Sequence, residues 1–189
     1  MKLTDLQGKI LYEGRFTTIR RAVEAAVRDG ADLSGANLRR AMLRHAVLDG
    51  AVLKGACLWG ATLDHAQMTG ADLSHADCRA AQMKEICLAE SICRRTDFRG
   101  AYLQGAIVRE GVFIAAQFSC PSVFSVPWEE AGDLNDATYW HRGETPCPLT
   151  RSPIVIGGLP RRVVVMDAHV LIGTDLHPFA ECKNTALQR

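Results

Sequence analysis

A large apolar residue returns every five positions from Leu33 to Phe118, eighteen times without a slip. The column runs Leu33, Leu38, Leu43, Leu48, Leu53, Leu58, Leu63, Met68 and Leu73, and continues through Cys78, Met83, Leu88, Cys93, Phe98, Leu103, Val108, Phe113 and Phe118. Alanine stands two positions before most of these, so the apolar spacing is 2, 3, 2, 3. One face of a helix would space them by 3 and 4, and a flat strand by 2 throughout. A mean of 2.5 describes chain that runs extended for two or three residues and then turns a corner, repeatedly. Side chains alternate along extended backbone, so the small and the large residue face inward and the one between them faces out. The last two residues of each unit form the corner. Gly35, Gly50, Gly55, Gly60, Gly70, Gly100 and Gly105 occupy the second corner position, where a missing Cβ permits a tight turn.

The units Ala31-Asp32-Leu33-Ser34-Gly35 and Ala36-Asn37-Leu38-Arg39-Arg40 resemble those of the pentapeptide-repeat family. The resemblance implies an all-β fold, a right-handed quadrilateral parallel β-helix in which four units make one coil. Residues 31–120 would then form four and a half coils, a rod about 20 Å long at the spacing of stacked strands. Such a match is specific for fold and not for function, because repeat surfaces are rewritten freely.

An open solenoid exposes apolar ends and strand edges, so both ends need covers. Residues 1–30 read as an N-terminal strand, Lys9-Ile10-Leu11-Tyr12, followed by a capping helix. Thr17 or Thr18 is its N-cap, Gly30 its stop, and Ile19, Ala22, Val23, Ala26 and Val27 its apolar stripe. After Phe118 the pattern stops at Cys120-Pro121, and residues 121–152 read as an irregular crossover. Residues 153–189 read as a small C-terminal β module of three short strands, with Asp167-Ala168-His169 as the turn between the last two. The stretch from Gly158-Leu159 to Ile172-Gly173 and His177 resembles a C-terminal module of some phage and bacterial pentapeptide proteins. Its strands are expected to cover Phe113 and Phe118, leaving Asp167, His169 and His177 as a secondary recognition surface.

The chain carries 22 basic and 21 acidic residues. No apolar run is long enough to span a bilayer, and the N-terminus has no apolar leader, so membrane insertion and export are not expected. Seven cysteines, none in a CxxC pair, point to free thiols in a reducing cytoplasm. A cofactor is not expected.

Square coils stack residues twenty apart, so surface columns can be written directly. His45, His65, Glu85 and Gly105 share a corner column. Two imidazoles one strand spacing apart could share zinc, but exposed polar corner residues explain them more simply, and no metal site is assigned. Cys57 and Cys87 are expected to point outward on different faces. Asp167, His169, Asp175 and His177 imitate an acid–base set, yet nothing supplies a nucleophile, and no catalytic residue is assigned. The remaining column is Arg39, Trp59, Arg79 and Arg99, with Arg40 at the adjoining corner. Guanidinium groups around an indole are the composition of a binding hot spot and equally of a solvated face whose stems shield an apolar ring. Asp77 and Asp97 in the neighbouring column partly neutralise it.

The reading is a non-catalytic interaction scaffold that binds a host protein or complex, of a phage or mobile-element kind. Nucleic acid is a lesser possibility through the basic column. The alternative, taken from other members of the family, is an acidic rod that imitates duplex DNA, engages DNA gyrase and protects it from quinolones. Mimicry requires a dense negative line. Residues 31–120 hold ten Lys or Arg and nine Asp or Glu, a net +1, which argues against it.

Overall fold

Each five-residue unit closes on a backbone bond from the N–H of the small inward residue to the carbonyl three positions earlier. Ala41 N–H reaches Leu38 at 3.1 Å and Ala61 N–H reaches Leu58 at 2.9 Å. The computed structural model describes residues 1–119, 123–140, 146–150, 152, 154–156, 163–165, 169–172 and 175–178. The outward residue of each unit pairs in parallel with the one twenty positions on: Asn37 with Cys57, Cys57 with Asp77, Asp77 with Asp97. Twenty residues are four units, so four corners return the chain to the same face one coil further along. Leu38 N–H donates to Cys57 at 2.8 Å and Cys57 N–H to Ala36 at 2.9 Å, and the pattern recurs on each face. The repeat region is therefore a β-helix solenoid.

One N–H per unit is left over by this ladder, that of the residue following the large inward one. Where the outward residue is Asp or Asn, its side chain takes that donor. Asp32 accepts from Ser34 at 2.8 Å, Asp72 from Ser74 at 3.0 Å, Asp77 from Arg79 at 3.1 Å and Asp97 from Arg99 at 3.0 Å. These carboxylates thus shape the corner as well as the surface. The second corner position is left-handed throughout, with φ of 67° at Gly50 and also 53° at Arg40, 56° at His45 and 55° at Ala115. Side chains at such angles carry backbone strain, which the coils above and below hold in place.

The core is a stack of fully buried leucines, interrupted where the small inward residue is not Ala. Ile86, Ser91 and Thr96 take that position and are 0% exposed. Both hydroxyls are satisfied, Ser91 Oγ by the Leu88 carbonyl and Thr96 Oγ1 by that of Leu73, each at 2.7 Å. The corner bonds lengthen at these positions, to 3.4 Å at Ile86 and Thr96. Cys78 and Cys93 fill inward positions as small hydrophobes, and burial pushes the Cys93 thiol up to about 12. Phe98 and Phe118, one coil apart, stack with ring centroids 5.2 Å apart.

At the N-terminal end, β1 (Lys2–Thr4) and β2 (Ile10–Glu13) form an antiparallel hairpin. The Thr4 carbonyl accepts Asn37 N–H at 2.8 Å, which closes the first strand edge on that face. Helix α1 (Ile19–Arg28) begins at Thr18, whose hydroxyl accepts Arg21 N–H. It ends in a Schellman turn: Ala31 N–H reaches Ala26 and Gly30 N–H reaches Val27. Ala22, Val23 and Ala26 join the solenoid core. Two helix side chains also meet open backbone groups of the first coil, Glu24 accepting Val47 N–H and Arg20 donating to the Arg44 carbonyl, both at 3.2 Å.

The C-terminal end differs from the sequence expectation. The repeat does not stop at Cys120-Pro121. β4 (Thr138–Trp140) pairs in parallel with β3 (Gln117–Ser119), and Asp133 with Val112, now at a step of 21 residues. Leu134, partly buried, and Ala137 and Tyr139, both buried, carry the inward pattern on, so part of the supposed crossover is another stretch of coil. Trp128, on a 3-10 turn (Trp128–Glu130), is the plug: it is 1% exposed, its ring lies 5.4 Å from Phe113 and 4.7 Å from Phe118, and its Nε1–H donates to Val123 at 2.9 Å. β5 (Cys147–Pro148) then pairs antiparallel with β4. β6 (Ile154–Ile156), β7 (Val163–Val165), β8 (His169–Ile172) and β9 (Asp175–Pro178) form a separate antiparallel sheet in that order. Val164 from this sheet reaches the core, but the two phenylalanines are sealed by an indole from the chain just after them.

Candidate functional site

Stacking brings the basic column together on one face. The outward residues there are Asn37, Cys57, Asp77, Asp97, Gln117 and Thr138, paired in parallel in that order. Beside them run Arg39, Trp59, Arg79, Arg99, Ser119 and Trp140. Antiparallel segments close this face at both ends, Thr4–Asp5 at one and Pro148 at the other.

The column divides by its electrostatics. Arg39 and Arg40 are exposed, and their guanidinium carbons lie 5.2 and 5.0 Å from the centre of the Trp59 ring. Neither forms an ion pair among the described residues. Arg79 is instead held by Asp77 through two bonds of 2.9 Å and approaches Asp97 at 3.7 Å. Arg99 is held by Asp97 at 2.9 and 2.6 Å. The Arg79 hydrogen bonds hold the Asp77 carboxyl below the usual carboxylate range and raise the Arg79 guanidinium in turn. Arg79 and Arg99 are therefore largely neutralised in place, while Arg39 and Arg40 keep their charge over an aromatic face.

Trp140 is the residue that the sequence column omitted. It aligns with Ser119, and Arg99 lies 5.7 Å from its ring. Its Nε1–H is buried without a hydrogen-bond partner among the described residues. The face thus has an Arg–Trp cluster towards each end, about 19 Å apart over four coils, with Arg–Asp pairs between them. Cys57, expected to point into solvent, is only 6% exposed, covered by its neighbours on this face.

The other columns carry less. His45 and His65 stack with centroids 4.9 Å apart, and His65 Nδ1 lies 3.3 Å from Glu85. No group of three or more metal-binding side chains occurs among the described residues. Asp167 lies outside the described residues. His169 and His177 are strand residues, not turn or loop residues. The register pairs Val170 with His177, so alternation sends the two imidazoles to opposite faces of the sheet. His169 turns towards Cys147, with 4.0 Å between Nε2 and Sγ. No helix among the described residues is long and apolar enough to cross a membrane.

A family model for pentapeptide repeats matches residues 29–60, 58–88 and 76–113, in eight copies. Among solved structures, a pentapeptide repeat protein from the Arabidopsis thaliana thylakoid lumen is 29% identical, with a TM-score of 0.46, covering 55% of this chain and 72% of its own. One from Nostoc PCC 7120 is 23% identical at a TM-score of 0.35, covering 64% and 98%. QnrB1, a plasmid-mediated fluoroquinolone resistance protein, is 14% identical at a TM-score of 0.25, covering 55% and 77%. None of the curated proteins matches. The five-residue corner, the twenty-residue coil and the family match coincide on one stretch of chain: residues 29–113 form a β-helix solenoid whose sequence matches the pentapeptide-repeat model.

Proposed function

We propose that this chain is a non-catalytic interaction scaffold that binds a host protein, or a complex such as a defence or nucleic-acid-processing assembly, and modulates or inhibits it. Pentapeptide-repeat proteins are mostly non-catalytic. The observation that carries the reading is the pair of unpaired guanidinium groups over Trp59. Arg and Trp are the residue types that dominate interface energetics, and an indole already half-buried by two cations loses little freedom on docking. A partner with an acidic rim around an apolar pocket suits this cluster. Protein is favoured over nucleic acid because Asp77 and Asp97 occupy Arg79 and Arg99, which breaks the line of cations a phosphate backbone would need. The phage or mobile-element setting rests on the C-terminal resemblance, and a reducing cytoplasm suits the free thiols Cys57, Cys78, Cys87 and Cys93.

The test is affinity capture from a bacterial lysate with mass-spectrometric identification, using the parent chain and the Trp59→Ala variant. A partner lost in the variant, with an unchanged melting temperature, supports the reading. Equal capture by both returns the column to a solvated face. A gyrase supercoiling assay beside it separates this account from DNA mimicry, since dose-dependent inhibition would mark gyrase as the target.

A further inference from the structure

At the far end of the rod the last coil leaves one strand edge open, on a face other than that of Trp59. Along Gly132–Asp136, the N–H groups of Leu134 and Asp136 and the Gly132 carbonyl have no hydrogen-bond partner among the described residues, although one coil earlier the ladder is complete. There Phe113 N–H reaches Asp133 at 2.7 Å, Ala115 N–H reaches Asn135 at 2.8 Å, and Gly132 N–H reaches Gly111 at 2.9 Å. The open edge is one wall of a groove of about 940 Å³, whose other described walls come from Trp128, Glu129 and Ala131 on one side and from Pro146, Pro148 and Leu149 on another. Pro146 and Pro148 have no N–H to offer across it. The charged side chains among the described lining residues are Glu129, Asp133 and Asp136, all acidic.

We infer that this groove accepts an extended, basic peptide segment of a partner protein, which adds as a strand to the Gly132–Asp136 edge. Two carbonyls of the segment, two residues apart, accept from Leu134 and Asp136 N–H, and one N–H of the segment donates to the Gly132 carbonyl, repeating the bonds made one coil earlier. Lysine or arginine on the segment meets Asp133, Asp136 and Glu129. A second copy of this chain is the poorer occupant, because end-to-end pairing would set the same three carboxylates against themselves. This surface is independent of the Arg39–Trp59 cluster, so either can fail without the other.

The test uses the full chain and a fluorescein-labelled, end-capped hexapeptide of alternating lysine and valine, read by fluorescence anisotropy. Its glutamate–valine counterpart and a version N-methylated on alternate amides serve as controls. The account expects the lysine peptide to bind at least about tenfold more tightly than either control. The double variant Asp133→Asn, Asp136→Asn should weaken binding about tenfold without unfolding. The first substitution keeps a side-chain acceptor for Asn135 N–H, and asparagine tolerates the φ of 57° that Asp136 adopts. Amide exchange at Leu134 and Asp136 should be fast in the free protein and slowed by the peptide. Equal binding of the acidic peptide, indifference to N-methylation, or protected Leu134 and Asp136 amides in the free protein would overturn the inference. So would a dimer in sedimentation that the peptide dissociates, since the occupant would then be a second copy.

Discussion

Replacing Trp128 with Ala removes the plug from the C-terminal end of the core. The indole is 1% exposed and packs edge-on against Phe113 and Phe118. A side chain of this size buries about 200 Å², which at about 25 cal/mol/Å² corresponds to about 5 kcal/mol. A compact denatured state reduces that figure, and large-to-small aromatic truncations fall at about 3–5 kcal/mol, which is the loss expected here. The hydrogen bond from Nε1 to Val123 adds about 1 kcal/mol. Trp128→Phe keeps most of the apolar area and gives up that bond, so it should lose about 1–2 kcal/mol. Urea denaturation followed by circular dichroism measures both. Because solenoid stability is a sum over neighbouring units, the damage should also be local. Amide exchange should accelerate from Phe98 to Tyr139 and stay slow from Leu38 to Leu63. A loss below about 1 kcal/mol for Trp128→Ala, or exchange that accelerates evenly along the rod, would show that something else seals this end.

Leu58→Asp places an unpaired charge in a core position that is 0% exposed, at several kcal/mol, and should abolish the cooperative melt; a full-height native transition would disprove the register. Asp77→Asn keeps the acceptor for Arg79 N–H but removes a carboxyl whose folded pKa is depressed. That carboxyl contributes stability above about pH 4 and loses it as pH falls through the folded value, so melting temperatures from pH 2 to pH 7 should show a shallower acid limb in the variant. Gly50→Ala meets open space at φ 67° and should lose about 1 kcal/mol, the strain of a Cβ in the left-handed region. Gly132→Ala puts a Cβ 2.9 Å from the Glu110 carbonyl and should lose more, about 1–3 kcal/mol; the reverse order in urea denaturation would contradict the packing described for the last coil.

The solenoid was legible because its cause is local and repeated: each corner needs a small residue, a large one and a left-handed position, and eighteen units state this in the same order. The C-terminal end was less legible because the cause there is not repeated. Counting on by five from Phe118 reaches Val123 and Trp128, both buried, so the plug was within reach of the same rule. The count then fails, because bridges that step by 20 up to Asp97–Gln117 step by 21 at Gln117–Thr138. That one residue hid Leu134, Tyr139 and Trp140. The basic column was readable as positions but not as charges. Whether an arginine is free or clamped depends on side-chain angles, and the close approach of Asp77 to Arg79 and Asp97 to Arg99 is a property of the folded face. Asp and Asn at the outward position carried a double meaning, since they also satisfy the N–H that the ladder omits.

The central claim is that binding resides in the unclamped Arg39–Arg40–Trp59 cluster and not along the whole basic column. Calorimetric titration of a captured partner against Trp59→Ala and, separately, Arg79→Ala tests it most directly. The account predicts a loss of about 2 kcal/mol or more for Trp59→Ala, roughly thirtyfold in affinity. For Arg79→Ala, whose charge is already taken by Asp77, it predicts a change within about 0.5 kcal/mol. Comparable losses at both positions, or none at Trp59, would contradict it.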